Sequence, residues 1–211
     1  MMKAAGVIVA GGRGARLGLG EPKAFARVGG ATLLARAEEA LGALCERMVI
    51  AAPRDLALPP HRFPRVADEP GARGPLAGMV AGLRALGAAS AIVLGVDFPL
   101  MRPATLAALL ERLGGHGAVL PAPGGRLQPL AAAYGPGAGE GLAASLARGE
   151  RSAVAAAVAL DPLVIAGEEL AGLEGGLESF LNLNTAADLA EAERRLAARA
   201  AAGVPGPRGA A

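Results

Sequence analysis

A glycine-rich loop that cuts short an apolar run near the N-terminus constrains this chain most. Val7-Ile8-Val9-Ala10 passes into Gly11-Gly12-Arg13-Gly14-Ala15-Arg16-Leu17-Gly18, and Lys23 follows shortly after. A β-branched run that stops at paired glycines reads as a buried strand leaving a sheet. Glycines allow φ > 0 and bring backbone N–H groups against an anion. Arg16 and Lys23 add the charge that neutralises it. The pattern therefore predicts a loop that wraps a triphosphate. It is not a Walker loop, because G-x-x-x-x-G-K-[ST] is missing. The G-x-G-x-x-G spacing is met only loosely, with Gly18 one position late.

Residue usage sharpens the choice of candidates. Of 21 basic residues only Lys3 and Lys23 are lysines. Gln128 is the only glutamine, and Asn182 and Asn184 are the only asparagines. Residue types used this sparingly mark positions where a specific polar group is wanted. The net charge is +2 with acids and bases interspersed, and aromatic residues make up 2% of the chain. Neither a basic face nor a stacking platform for bases is present, which argues against nucleic-acid binding. A single cysteine, Cys45, forbids an internal disulfide and fits a reducing cytoplasm. It is read as a packing residue at a helix end. The N-terminal apolar run is too short for a signal peptide, and no segment nears the ~20 residues of a membrane span.

The remaining pattern alternates strands and helices. Strands are expected at Ala4–Ala10, Met48–Ala52, Ala91–Val96, Ala118–Pro121, Pro129–Tyr134, Leu163–Ala166 and Phe180–Asn184. Helices are expected at Thr32–Leu44, Pro75–Leu86, Pro103–Leu113, Gly139–Arg148, Ser152–Val158 and Ala186–Ala200. Prolines open two of the helices, where a missing N–H costs nothing. Thr185 caps the last one. This rhythm predicts an α/β chain with a Rossmann-like, mostly parallel twisted sheet flanked by helices on both faces. The length suits one domain over residues 1–202, with 203–211 a disordered tail too rich in glycine and proline to hold a helix.

Ligands of such sheets sit beyond the carboxyl ends of the strands, where the strand order switches. Asp97 leaves the apolar run Ala91–Val96 at such an end, well placed to hold Mg²⁺. Asp68-Glu69 precedes Gly74-Pro75-Leu76-Ala77-Gly78, where a helix start would favour an anion. Asn182 and Asn184 alternate with Leu181 and Leu183, so both amides would share one face of a strand. His61 and His116 sit in loop-like surroundings without partners. No Ser-His-Asp or Cys/His metal spacing is present.

These segments, in this order, resemble the molybdenum cofactor guanylyltransferase family of nucleotidyltransferases over roughly Ala5 to Ala197. Val9-Ala10-Gly11-Gly12 with Arg16 and Lys23 looks like its nucleotide loop. Asp68 with Gly74-Pro75-Leu76-Ala77-Gly78-Met79 looks like its guanine-side segment, and Asp97-Phe98-Pro99 like its Mg²⁺-holding D-x-P. Gln128-Pro129-Leu130 and Phe180-Leu181-Asn182-Leu183-Asn184-Thr185 look like its two later signatures. The family usually carries Asp-Lys in the loop. Here Glu21-Pro22-Lys23 is similar instead to the cytidylyltransferases of isoprenoid precursor synthesis. Pro53 stands where the family often has asparagine.

The resemblance implies a nucleotide-diphospho-sugar-transferase type of fold. It also implies a nucleotide-binding half of about 1–115 and an acceptor-binding half of about 116–202. It implies transfer of GMP from GTP to the terminal phosphate of molybdenum-bound molybdopterin, with Mg²⁺ and release of pyrophosphate. Arg16, Lys23 and Asp97 would be catalytic, with Asp97 the metal ligand. Val9, Ala10, Gly11, Gly12, Lys23, Asp68 and Asp97 would bind nucleotide, and Gln128, Asn182 and Asn184 the acceptor. Partners would be GTP, the molybdopterin and, transiently, other cofactor-biosynthesis proteins or molybdoenzymes. Alternatives are a cytidylyltransferase acting on molybdopterin or a sugar-alcohol phosphate, a sugar-phosphate nucleotidyltransferase, and a non-catalytic nucleotide- or pterin-binding adaptor.

Overall fold

The computed structural model of the 211-residue protein describes residues 4–12, 20–68, 74–87 and 90–202. Arg13, Arg16, Glu69 and the 203–211 tail lie outside these residues. The described strands are β1 (Ala4–Val9), β2 (Arg27–Val28), β3 (Ala31–Thr32), β4 (Cys45–Ala51), β5 (Arg65–Val66), β6 (Ala91–Gly95), β7 (Ala118–Ala122), β8 (Ala131–Tyr134) and β9 (Leu163–Ala166). The described α-helices are α1 (Leu33–Gly42), α2 (Pro75–Leu86), α3 (Pro103–Glu111), α4 (Ala138–Ala147), α5 (Ala153–Val158), α6 (Gly167–Ala171) and α7 (Ala186–Ala201).

Seven strands form one sheet in the order β5-β4-β1-β6-β8-β7-β9, and β2 and β3 form a small hairpin. The pairs β1–β4, β1–β6, β4–β5 and β7–β9 are parallel; β8 runs antiparallel to both β6 and β7. A mostly parallel sheet is thus present. Helices cover both faces, as buried apolar runs on central strands require. Along β1 the side chains alternate. Ile8 joins the core layer under α1 and α3, while Val7 and Val9 join the layer under α2 and α4. Among the described residues no helix is long and apolar enough to cross a membrane.

Local signals set most helix ends. Thr32 and Ser152 accept hydrogen bonds from Ala35 and Ala155 N–H, capping α1 and α5. Pro75 and Pro103 open α2 and α3. Gly74 precedes Pro75 at φ +94°, a conformation that favours glycine.

Two expectations need correction. Phe180–Asn184 is not a strand: Gly176–Phe180 is a 3₁₀ helix, and Leu181–Asn184 is extended but unpaired in the sheet. Its Leu/Asn alternation has the period of a strand because the backbone is extended there, with Leu183 fully buried. Cys45 is not at a helix end, since α1 stops at Gly42 and Cys45 begins β4. The exposed Glu46 and Arg47 masked that strand start. The hairpin, β5 and α6 were too short to show a period.

Candidate active site

The strand order reverses at β1. Crossovers lead one way to β4 and β5 and the other way to β6. β1 and β6 lie side by side in parallel with Val9 opposite Gly95, so their carboxyl ends open together. Ala10–Gly12 and Val96–Asp97 therefore leave the sheet as neighbours. The Val96 N–H donates to Val9 O at 3.2 Å, and the Ala10 N–H to Ala51 O at 2.9 Å. These bonds hold the start of the glycine loop against both adjoining strands.

The chain returns to this point at Lys23. Its backbone N–H donates to Gly12 O at 3.0 Å, and it begins a short 3₁₀ helix, Lys23–Phe25, behind the fixed φ of Pro22. The ammonium then lies 3.6 Å from Asp97 Oδ2, with the two side chains 12% and 19% exposed. The only lysine among the described residues thus meets the carboxylate at the end of β6. Gly95 makes room for that carboxylate. A Cβ there would collide with Asp97 Oδ1 and come within 3.4 Å of Leu130 Cβ.

Asp68 lies beyond β5, against the first turns of α2. Its Oδ1 would be 3.4 Å from a Cβ on Gly78. Burial pushes its carboxyl above the ordinary carboxylate value, opposed by the positive charge of Arg65. Among the described residues, Arg65 Nε and Nη2 are buried without a hydrogen-bond partner.

The segment after the 3₁₀ helix reaches the site from the other side of the chain. The Leu183 N–H donates to Asp97 O at 2.9 Å. Asn184 Nδ2 donates to Asn182 Oδ1 at 3.0 Å, so the two amides share one side as expected. Gln128 is half-buried. Its backbone N–H donates to Pro121 O at 2.9 Å and its carbonyl accepts from Ala131 N–H at 3.1 Å, fixing the turn into β8. His61 and His116 are exposed, and Cys45 is buried.

Sequence reasoning passed over Asp188. Its Oδ2 accepts from the N–H groups of Asn184 and Thr185, at 2.9 and 2.8 Å. The signal was there in Thr185-x-x-Asp188, the spacing of a reciprocal helix cap.

Residues 6–162 match the model of the MobA-like NTP transferase domain. The chain belongs to the MobA-like NTP transferase family. A molybdenum cofactor guanylyltransferase of Cereibacter sphaeroides is 36% identical over 203 residues, covering 92% of this chain and 98% of that protein. Among solved structures, molybdopterin-guanine dinucleotide biosynthesis protein A from Archaeoglobus fulgidus superposes with a TM-score of 0.76 at 24% identity. That match covers 92% of this chain and 99% of the other. The 2-C-methyl-D-erythritol 4-phosphate cytidylyltransferase of Thermus thermophilus superposes with a TM-score of 0.67 at 24% identity, covering 92% and 98%. These structural likenesses speak to the fold, which nucleotidyltransferases of different base choice share. The NTP transferase match makes the chain a nucleotidyltransferase with the expected nucleotide-diphospho-sugar-transferase type of fold.

Proposed function

We propose that this protein transfers GMP from GTP to the terminal phosphate of molybdenum-bound molybdopterin, releasing pyrophosphate. The observation that carries the reading is the Lys23–Asp97 pair, held 3.6 Å apart at the switch point of the sheet. The guanylyl choice rests on relatives named for that activity, at 36% identity over nearly their whole length.

Asp97 fits Mg²⁺ by its donor chemistry. No group of three or more His, Cys, Asp or Glu forms a closed metal site among the described residues. Mg²⁺ commonly takes one or two carboxylates and completes its shell with water and substrate phosphates. Bound at Asp97, it would supply Lewis-acid neutralisation of the triphosphate. The backbone N–H groups of Gly11 and Gly12, with Arg16, cradle phosphate oxygens. Lys23 offsets charge that builds on the α-phosphoryl group and on pyrophosphate as it leaves. Asp68 accepts hydrogen bonds from guanine N–H groups. Gln128, Asn182 and Asn184 face the acceptor.

The nucleophile is a phosphate oxygen of the pterin. It forms the new bond to the α-phosphorus while the bridging bond to pyrophosphate breaks. A second phosphate pKa of about 6 leaves it ionised at neutral pH, so no general base is required. That agrees with two histidines that are both exposed. The work of the residues is to align two anions and screen their charge. We place this chemistry in the cytoplasm, with hand-over to other cofactor-biosynthesis proteins or molybdoenzymes.

A thermal-shift scan with GTP, CTP, ATP and UTP, each with and without Mg²⁺, tests nucleotide choice. Ligand at about 100 times its Kd stabilises by about 2.7 kcal/mol, a rise of roughly 5–11 °C for a chain of this size. The expected result is a GTP-selective shift enhanced by Mg²⁺, followed by pyrophosphate release once the molybdenum-bound pterin is added. A CTP-selective shift would make the protein a cytidylyltransferase. Nucleotide binding without transfer would make it an adaptor.

A further inference from the structure

Asp188 does more than cap a helix. In a reciprocal cap the acidic side chain three residues into the helix bonds back to the N-cap N–H. Here Thr185 is the N-cap, and its hydroxyl accepts from Asp188 N–H at 3.2 Å. The Asp188 carboxylate returns the bond to Thr185 N–H at 2.8 Å and to Thr185 Oγ1 at 2.9 Å. The same Oδ2 also reaches one residue further out, to Asn184 N–H at 2.9 Å. α7 does not need that last bond, since Asn184 lies outside the helix.

The extra bond acts on a short stretch with few other ties. Leu181–Asn184 has no sheet partner. It is pinned at Leu183, whose side chain is fully buried and whose N–H donates to Asp97 O. The next tie is Asp188. Between and beside them Asn182 and Asn184 hold each other by their amides. With the backbone bonds from Leu181 N–H to Glu178 O and from Leu183 N–H to Asp97 O, the carboxylate thus helps to set how both asparagines stand. The Asn184 N–H holds the Asp188 carboxyl below the usual carboxylate range, with Thr185 and the positive charge of Lys23 adding to the effect.

We infer that Asp188 is a positioning residue of the transfer reaction, which fixes Asn182 and Asn184 toward the acceptor through the backbone of Asn184. The inference rests on the proposed transfer to a pterin phosphate. It assigns the residue no contact with either substrate. It separates the two substrates: loss of Asp188 disturbs the acceptor side and leaves the start of the nucleotide loop, where Ala10 N–H bonds Ala51 O and Val9 O accepts from Val96 N–H, as it is.

The test compares Asp188→Ala, Asp188→Asn and, as a remote cap control, Ser152→Ala. Each is assayed well below its own Tm with GTP, Mg²⁺ and molybdenum-bound molybdopterin, and GTP affinity is measured separately by calorimetry. Losing a charge-assisted hydrogen bond should raise the acceptor KM of Asp188→Ala about tenfold or more. Its GTP Kd should stay within about twofold of wild type, because no nucleotide contact is removed. Asp188→Asn keeps an oxygen in the same place and should recover the acceptor KM to within about threefold. Ser152→Ala should lower Tm without moving either constant. Should Asp188→Ala not fold, Asp188→Glu keeps the helix cap but lengthens the reach to Asn184. It should then raise the acceptor KM at near wild-type Tm. Asp188→Ala, or failing it Asp188→Glu, with a wild-type acceptor KM would overturn the inference and leave Asp188 as a helix cap. Equal losses toward GTP and acceptor would overturn it too. A wild-type protein that binds GTP but transfers nothing to the pterin would refute the transfer reading itself, and the positioning role with it.

Discussion

Replacing Lys23 by methionine removes the ammonium while keeping an unbranched side chain of similar length. The charge sits 3.6 Å from Asp97 Oδ2, in a site where the two side chains are 12% and 19% exposed. At that distance two unit charges attract by about 4.6 kcal/mol at an effective dielectric constant of about 20, and by about 1 kcal/mol in bulk water. A phosphate oxygen bound beside Asp97 comes within similar reach of the ammonium. Removing one preorganised group that stabilises developing charge typically costs ~10²–10³ in turnover, or about 2.7–4 kcal/mol. That range falls below the upper Coulomb figure, so one lysine can account for it. Lys23→Met should therefore lose ~10²–10³ in kcat at saturating GTP and Mg²⁺. Continuous pyrophosphate detection would read the rate, and the thermal transition would show the fold intact. Lys23→Arg should fall between the two, because it keeps the charge but changes its reach. A loss of less than about tenfold in Lys23→Met would refute the reasoning, since it would put the charge outside the reacting region.

Other substitutions probe the site and its support. Burial raises the Asp68 carboxyl above its ordinary 3.8. Between 3.8 and its raised value the folded state holds more protons than the unfolded one, so this group's contribution to stability falls as pH rises through that window. Asp68→Asn should thus be the more stable protein at pH 7 and lose that advantage on acidification, as read by pH-dependent melts. GTP affinity of the wild type should weaken as pH drops into the same window and stay flat in Asp68→Asn; identical profiles would remove Asp68 from base recognition. Gly82 packs α2 onto β1, and a Cβ there would press on Val7 Cγ1 and lie 3.0 Å from Val7 Cγ2, both on a fully buried side chain. Gly82→Ala should cost about 1–3 kcal/mol by overpacking. For a chain of this size that lowers Tm by roughly 2–12 °C, and an unchanged melt would show that α2 shifts freely. Burial pushes the Cys45 thiol up to about 12. Native protein at pH 8 should resist an aromatic disulfide reagent and react fully once unfolded in guanidinium; rapid native labelling would contradict that.

Much of the architecture was legible because its causes are local. The apolar run before Gly11-Gly12 had to be a buried strand. Pro75, Pro103, Thr32, Ser152 and Thr185 mark helix starts through rules that act within one turn. Short elements escaped for the opposite reason. Arg65–Val66 is a two-residue strand that exists because β4 offers it a partner. Leu181–Asn184 looked like a strand because period-two alternation reports an extended backbone, not a paired one. Cys45-Glu46-Arg47 hid the start of β4 because its exposed residues interrupt the apolar pattern.

The candidate site divides along the same line. Sequence alone determined which chemistry was available: a glycine loop after a buried strand, a scarce lysine beyond it, and an acid at the end of another apolar run. These are properties of short segments, and the side chains carry them wherever the chain goes. Only the tertiary structure decided that they meet. Parallel pairing of β1 with β6 brings the two strand ends together, Gly95 leaves space for the Asp97 carboxylate, and the Gly12–Lys23 backbone bond turns the ammonium toward it. The tie from Leu183 to Asp97, and the reach of Asp188 past its own helix to Asn184, are of the same kind. Such contacts join residues far apart in the chain, and what fixes them is the packing of the sheet and its helices, which no local pattern encodes.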